Sequence, residues 1–206
     1  MNDAPDRKTI VALGYDQIID RYMETFGRST VRARKFEELV ADLPAGANVL
    51  DLGCGAGVPV ARELTRRGFV VTGVDGSAGQ IARAARDVPE GRFIQADMTA
   101  IDFPPGSFNA VCGFYSITHV PREEHAALFK RVAKWLRLGG RFLASFGTTQ
   151  GDWCGDWLGV PMFFSHYDPQ VTRQLVLDAG FRLEKTELLE QDNEKSEFLW
   201  ISGRRT

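Results

Sequence analysis

The sequence predicts an α/β protein: seven strands in one mostly parallel sheet, with helices on both faces and an antiparallel hairpin at the carboxyl end. Three observations carry this reading. Short apolar runs alternate along the chain with stretches whose apolar residues recur at helical spacing. A glycine-rich "GCGAG" joins the first apolar run to a helix. The last two runs, "FRLEKTELLE" and "EFLWISG", are separated only by the charged "QDNEKS", too short a connection for a parallel crossover.

Each element follows in order. Helices are expected over 10–26, where Ile10, Leu13, Ile18, Ile19, Tyr22 and Met23 share a spacing, and over 29–41, with Ser29 as its cap. "ANVLDLG" is the first strand, and the helix over 58–67 tolerates Pro59 in its first turn and stops at Gly68. "FVVTGVD" is the second strand, and "SAGQIARAAR" is a helix capped by Ser77. "RFIQAD" and "FNAVCGFYS" are the third and fourth strands, the latter placing Cys112 in the core. A helix over 121–136 begins at Pro121, breaks at Gly139–Gly140 and leads into the fifth strand, "RFLASFG". The helix over 169–179 has Asp168 as a cap and stops at Gly180 before the terminal hairpin.

Composition narrows the class. Of 206 residues, 44% are apolar and 25% charged, and the net charge is −2, an ordinary globular balance without a general field for nucleic acid. Three widely spaced cysteines suggest neither a disulfide framework nor a zinc site. No apolar run reaches the length of a membrane span, and "MNDAPDRKT" reads as a polar end rather than a secretory signal. A cytoplasmic protein without a metal, a nucleic-acid partner or a membrane partner is therefore expected, as a monomer or homodimer.

A glycine-rich strand-to-helix turn suits either a dinucleotide or an adenosyl ligand. The dinucleotide fingerprint G-x-G-x-x-G wants glycine at position 58, where this chain has Val58. Asp51, two residues before Gly53, would repel a pyrophosphate and attract an ammonium. Asp75 ends the second strand, where a carboxylate can accept from ribose hydroxyls, and Asp97 ends the third, within reach of an adenine amino group. Taken singly, Asp51 can equally cap backbone amides and Asp97 a turn. Acids at three consecutive strand ends suit a cationic, phosphate-free ligand better than a dinucleotide.

"VLDLGCGAG", "VTGVDGS", "QADM", "FNAVCGFYSITHV" and "LRLGGRFLASF" resemble, in order and spacing, the motif series of the class I S-adenosylmethionine-dependent methyltransferases. The likeness runs from Asn48 to Phe146, about half the chain, and "YD…Y" (Tyr15, Asp16, Tyr22) is similar to the small-molecule branch, including quinone-biosynthesis and natural-product enzymes. It implies a Rossmann-like domain with helices over 1–42 as a lid, a cofactor-binding core over 43–146, an aromatic lid insertion over 147–168 and a helix with hairpin over 169–206. It implies that Gly53, Cys54, Gly55 and Gly57 wrap the methionine part and that Asp51 faces its amino group. Asp75 would hold the ribose, Gly76 flank the adenine, Asp97 and Met98 bind its edge, and Phe114 offer a carbonyl to the ammonium. The cofactor would be S-adenosylmethionine, leaving S-adenosylhomocysteine.

Methyl transfer from a sulfonium needs alignment in a water-poor site, and a base only when the nucleophile arrives protonated. His119, in "YSITHV", takes a substrate proton, hydrogen-bonds a substrate carboxylate or fixes the loop before Pro121, and His166, in "FFSHYD", is a second candidate. Tyr22 joins this catalytic set. His125 lies on a charged helix face and is expected to be exposed. For a small-molecule acceptor, Tyr15, Trp153, Trp157, Phe163 and Tyr167 are the candidate contacts, unless the aromatics of 147–168 form only their own core. A protein or RNA methyltransferase and a non-catalytic adenosyl-ligand binder are the alternatives. The fourth strand ends in "GFYS" without the N/D-P-P-Y/F pattern of base-methylating enzymes.

Overall fold

Apolar runs of four to six residues, each followed by a helix or turn signal, form parallel strands in register with one another. In the computed structural model, which describes residues 6–192 and 195–206, these are β1 (Asn48–Leu52), β2 (Val70–Asp75), β3 (Arg92–Gln95) and β4 (Phe108–Gly113). With β5 (Leu136–Gly147), β8 (Phe181–Glu190) and β9 (Glu197–Arg205) they make a seven-stranded sheet of order β3-β2-β1-β4-β5-β9-β8. Only β9 runs antiparallel to both its neighbours. The expected seven-stranded α/β architecture is thus the observed one. The polar amino-terminal end over 1–5, and Asn193 and Glu194 of the expected hairpin turn, lie outside the described residues.

Helices cover both faces because each has one apolar side. Phe129, Val132 and Trp135 of α5 (His125–Trp135), with Val176 of α6 (Pro169–Asp178), pack on one face. Phe36 and Leu39 of α2 (Thr30–Val40) and Leu64 of α3 (Val60–Arg66) pack on the other. The polar caps are those the sequence names: Ser29 Oγ accepts from Arg32 N–H, Ser77 Oγ from Gln80 N–H, and Asp168 from Gln170 and Val171. The chain leaves β1 toward β2 and β3, then returns to β4 on β1's other side. The two directions part between β1 and β4, and the crevice there lies beyond the carboxyl ends of the strands. α1 (Arg7–Phe26) and α4 (Ala78–Asp87) meet at that end. No helix among the described residues is long and apolar enough to cross a membrane.

The structure corrects four local expectations. The helix expected from Pro121 opens with a 3-10 turn over Arg122–Glu124, and α-helical bonding begins at His125. His125 is 2% exposed rather than solvated, because this first turn folds its ring inward, where Nε2 donates to the Val120 carbonyl. Gly139 and Gly140 do not precede a strand but lie within β5, whose pairing with β4 shifts register there. The long connection over 147–168 is itself a β-hairpin of β6 (Gly151–Trp157) and β7 (Val160–His166). Its two-residue turn places both Leu158 (φ 53°) and Gly159 (φ 79°) in the left-handed region, the geometry that matches strand twist. "LG" lacks the Asn-Gly or Asp-Gly signal, so the hairpin was not legible as such. Val160 and Met162 of β7 pack on Ile18 of α1. At Gly14 of α1 an added Cβ would stand 2.9 Å from the Pro161 carbonyl, so glycine permits this close approach.

Candidate functional site

A cavity of about 390 Å³ opens over the carboxyl ends of β1 to β4, with α1 as its opposite wall. Its floor begins with the glycine loop. Gly53 and Cys54 N–H groups both donate to the Val74 carbonyl (2.7 and 3.1 Å), folding the loop back across β2. Gly55 (φ 53°) then turns its N–H onto Asp75 Oδ2 at 2.9 Å, while Ser77 N–H donates to Oδ1 at 2.9 Å. Two amides therefore aim the Asp75 carboxylate. Burial nonetheless lifts its pKa above the ordinary aspartate value. Asp51, 3% exposed, stands in the same floor beside Cys112 Sγ (3.5 Å). Burial, reinforced by the Asp75 charge, pushes its pKa up to about 7.

Gly53, Cys54, Gly55, Gly76, Met98 and Phe114 also line this cavity. Gly57 does not. A Cβ there would lie 3.3 Å from Ala84, Val88 and Phe93, so this glycine lets the loop pack on α4 and β3. Asp97 lines the cavity but is already engaged. Its Oδ1 accepts from Thr99 N–H (2.8 Å), the turn-capping role, and its Oδ2 from Lys8 Nζ of α1 (2.8 Å). Burial opposes ionisation, yet the bonds from Lys8 and Thr99 hold Asp97 below its ordinary pKa.

The opposite wall carries the candidate acid–base groups. Tyr15 and Tyr22 project from α1 into the cavity, and His119 faces them from the 3-10 turn after β4. His119 Nδ1 lies 2.7 Å from the Phe163 carbonyl, which can only accept, so Nδ1 carries the proton. Burial lowers the ring's pKa to about 4, leaving it neutral near pH 7. Nε2 is then an acceptor, and the Tyr15 hydroxyl donates to it at 2.8 Å. Asp16 turns the other way: its Oδ1 accepts from Ser77 Oγ (2.5 Å) and Gly79 N–H (2.8 Å), fastening α1 to the start of α4.

The remaining candidates stand outside the lining. His166 is half-buried behind it, its Nε2 bonded to Thr118 Oγ1 and its ring against Gly147. Trp157 packs with Tyr15, Tyr22 and Phe164 and stacks on Phe26 (5.7 Å), joining the core between hairpin and α1. Phe163 is buried beneath Arg7 and reaches the site only through its carbonyl. Tyr167 lies beside His125 and Arg122, and Trp153 is 46% exposed on the hairpin's outer strand. The hairpin's aromatics thus serve mainly as its own core.

Among the polar lining residues that escaped the sequence reading are Lys8, Arg32 and Gln80. Each belongs to a helix whose pattern identifies buried positions but not the direction of a polar head. Gln80 is 3% exposed, and its Oε1 has no partner among the described residues. A buried amide oxygen facing a cavity calls for a donor from a ligand. Together with a floor holding Asp51 and Asp75, it fits a cationic ligand rich in hydroxyl and amino donors, as an adenosyl sulfonium is.

Residues 49–140 match the family described as "Methyltransferase domain". The 27-O-demethylrifamycin SV methyltransferase of Amycolatopsis mediterranei is 34% identical over 62% of this chain and 46% of its own length. Phosphoethanolamine N-methyltransferase 1 of Arabidopsis thaliana is 30% identical over 78% of this chain and 35% of its own length. This chain spans about a third to a half the length of these curated relatives. Magnesium protoporphyrin IX methyltransferase of Synechocystis, solved with bound S-adenosylmethionine, shares the fold at a TM-score of 0.76 and 21% identity, covering 100% of both chains.

Proposed function

We propose that this chain is a class I S-adenosylmethionine-dependent methyltransferase and that it methylates a small organic acceptor. The observation that carries the proposal is the meeting of two walls in one cavity. Asp51, Asp75 and the loop over Gly53–Gly55 form the floor, and the Tyr15–His119 pair stands opposite. When bound, S-adenosylmethionine would supply a sulfonium methyl whose transfer relieves the sulfur of its positive charge. Asp51 holds the amino group of the methionine part, Asp75 the ribose hydroxyls, and Gln80 Oε1 accepts from a further donor of the same ligand. Asp97, engaged by Lys8, reaches the adenine edge with whatever acceptor capacity those bonds leave, beside Met98.

Tyr15 acts on the acceptor. As the methyl arrives and the proton of a hydroxyl nucleophile becomes strongly acidic, the Tyr15 oxygen takes it while its own proton passes to His119 Nε2, and the imidazolium so formed, bonded to the Phe163 carbonyl and disfavoured by burial, is transient. Tyr22 and the apolar stretch of α1 exclude water and orient the acceptor. The acceptor is a small molecule rather than a nucleic acid, the setting is cytoplasmic, and the protein is a monomer or homodimer. Three cysteines without a disulfide support the setting.

Transfer of labelled methyl from S-adenosylmethionine to a panel of phenols, quinols, amines and carboxylic acids tests the proposal, alongside thermal shift with S-adenosylhomocysteine and NAD. Label in a small acceptor and stabilisation by S-adenosylhomocysteine are expected. Stabilisation by NAD alone overturns it. Label in protein or RNA moves the reading to a macromolecular acceptor, and binding without turnover moves it to a regulatory binder.

A further inference from the structure

The Tyr15–His119 bond joins two segments far apart in sequence: α1 supplies the tyrosine and the 3-10 turn after β4 supplies the histidine. β7 grips that turn and its exit in three places. Thr118 Oγ1 is bonded to His166 Nε2, His119 Nδ1 donates to the Phe163 carbonyl at 2.7 Å, and Arg122 N–H donates to Ser165 Oγ at 2.8 Å. Ser165 is 0% exposed, so its hydroxyl proton needs a partner inside the protein. That partner is Asp152, opposite Ser165 in the hairpin register, whose Oδ1 accepts at 2.7 Å. A carboxylate can only accept, so Asp152 fixes the direction of the Ser165 hydroxyl and leaves its lone pairs to the Arg122 amide. The same carboxylate faces two cations: Arg122 Nη1 at 3.6 Å, and Arg7 Nη1, in the first turn of α1, at 3.4 Å. Arg7 also lies over the Phe163 ring, 5.2 Å from its centroid.

Asp152 therefore reaches toward both halves of the pair while lining no part of the cavity. We infer that Asp152 is a positioning residue. By holding Arg7 of α1 and, through Ser165, the amide three residues after His119, it sets the approach of the Tyr15 hydroxyl to His119 Nε2. The inference rests on the proton path proposed above for Tyr15. Exposed ion pairs alone would carry little of it: Arg7 also meets Glu123 at 2.9 Å, and a solvated pair of that kind holds a geometry weakly. What sets Asp152 apart is the buried hydroxyl behind it. Removing its carboxylate leaves the Ser165 proton without an acceptor at a fully buried site, and loosens the bond that Ser165 makes to Arg122. Asparagine would keep an acceptor for Ser165 and give up only the charge that faces Arg7 and Arg122. Proton transfer between two side chains depends steeply on their separation, so a small drift of α1 from the turn is felt in rate before it is felt in cofactor binding.

Asp152→Ala, Asp152→Asn, Tyr15→Phe and the Asp152→Ala/Tyr15→Phe double variant of the full chain test this, assayed on the phenol or quinol that takes labelled methyl most readily. Asp152→Ala should lower kcat by about 10- to 100-fold, with acceptor KM and S-adenosylhomocysteine affinity changed less than about threefold. Asp152→Asn should recover most of that loss. In the Tyr15→Phe background the Asp152→Ala change should cost less than about threefold more, because the group it positions is already gone. An equal loss in both backgrounds, or a loss that falls on S-adenosylhomocysteine affinity instead, marks a merely structural residue and overturns the inference. Nitrogen NMR of the His119 ring gives a second readout that needs no turnover. The wild type should show one neutral ring protonated at Nδ1 near neutral pH, and Asp152→Ala should show more than one ring state or an exchange-broadened signal. An unchanged ring signal in Asp152→Ala overturns the inference. Should Asp152→Ala fail to fold, Ser165→Ala breaks the same link from its other side and should give the same loss and the same ring change. If the wild type methylates no hydroxyl acceptor, the proton path falls, and the ring signal then decides by itself whether Asp152 positions His119.

Discussion

The floor of the cavity takes its shape from strand ends, whereas the opposite wall takes its shape from packing. On the floor, Asp75 is aimed by two backbone amides, those of Gly55 and Ser77, 20 and 2 residues away, at the ends of adjacent strands. Across from it, Tyr15 is aimed by His119, His119 by the carbonyl of Phe163, and Phe163 by a hairpin whose own aromatics lean on α1. The first arrangement is nearly local and survives changes elsewhere in the chain. The second needs three segments, far apart in sequence, to arrive together. A protein built this way can retain its floor while the opposite wall is altered.

The widest expected separation between the walls is in turnover. Tyr15→Phe removes the hydroxyl placed against His119 Nε2, and it should lower kcat by about 10²–10⁴-fold with S-adenosylhomocysteine affinity unchanged. Unchanged kcat on an acceptor that arrives protonated would refute the assigned proton path. Next in size, Trp157→Ala should cost about 2 kcal/mol of stability in denaturant unfolding, since it empties a half-buried position stacked on Phe26. Its effect on adenosyl-ligand affinity should be small, and a large one would show that the walls are not independent. On the floor side, Asp75→Ala should weaken S-adenosylhomocysteine by about 1–3 kcal/mol, measured by calorimetry, because bound hydroxyls and two amides lose their acceptor.

A smaller and graded effect belongs to Asp51. Its folded pKa, near 7, lies above its ordinary value of 3.8, so the ligand-free protein binds a proton that the unfolded chain releases between these values. Stability of the ligand-free protein should therefore fall as pH rises from about 4 to about 7. Binding runs the opposite way. An ammonium needs the carboxylate ionised, so S-adenosylhomocysteine affinity should drop by about tenfold per unit of pH below 7. Affinity that stays flat between pH 5.5 and 8 would remove Asp51 from the ammonium site. Smallest of all, Trp153→Ala on the exposed side of the hairpin should change stability by less than about 0.5 kcal/mol and leave kcat unaltered, as a melting curve and an activity assay would show.

The same contrast explains what could be read from the sequence. Asp51, Asp75 and Gly55 were legible because a residue at a strand end points where the strand points, and strand ends converge at the crevice. Gly57 shares the glycine spacing but turns toward α4, a direction that depends on Phe93 and Val88 rather than on the loop itself. The aromatics over 147–168 announced an important segment, yet composition cannot distinguish a ring that faces a ligand from one that faces α1. Arg32 was invisible for a related reason. In a helix of alternating charge and apolar residues, nothing local marks a buried cation that has no carboxylate beside it among the described residues.

The Asp16 carboxylate, which accepts from Ser77 and Gly79, has a consequence for motion. It makes a residue of α1 part of the cap of α4, and Ser77 is also one of the two groups that aim Asp75. Lifting α1 away therefore uncaps α4 and loosens an anchor of the Asp75 carboxylate in the same event. The two behave as one cooperative opening unit. A ligand that never touches Asp16 would still slow amide exchange along the middle of α1, because every opening of that helix would have to give up the bound state as well.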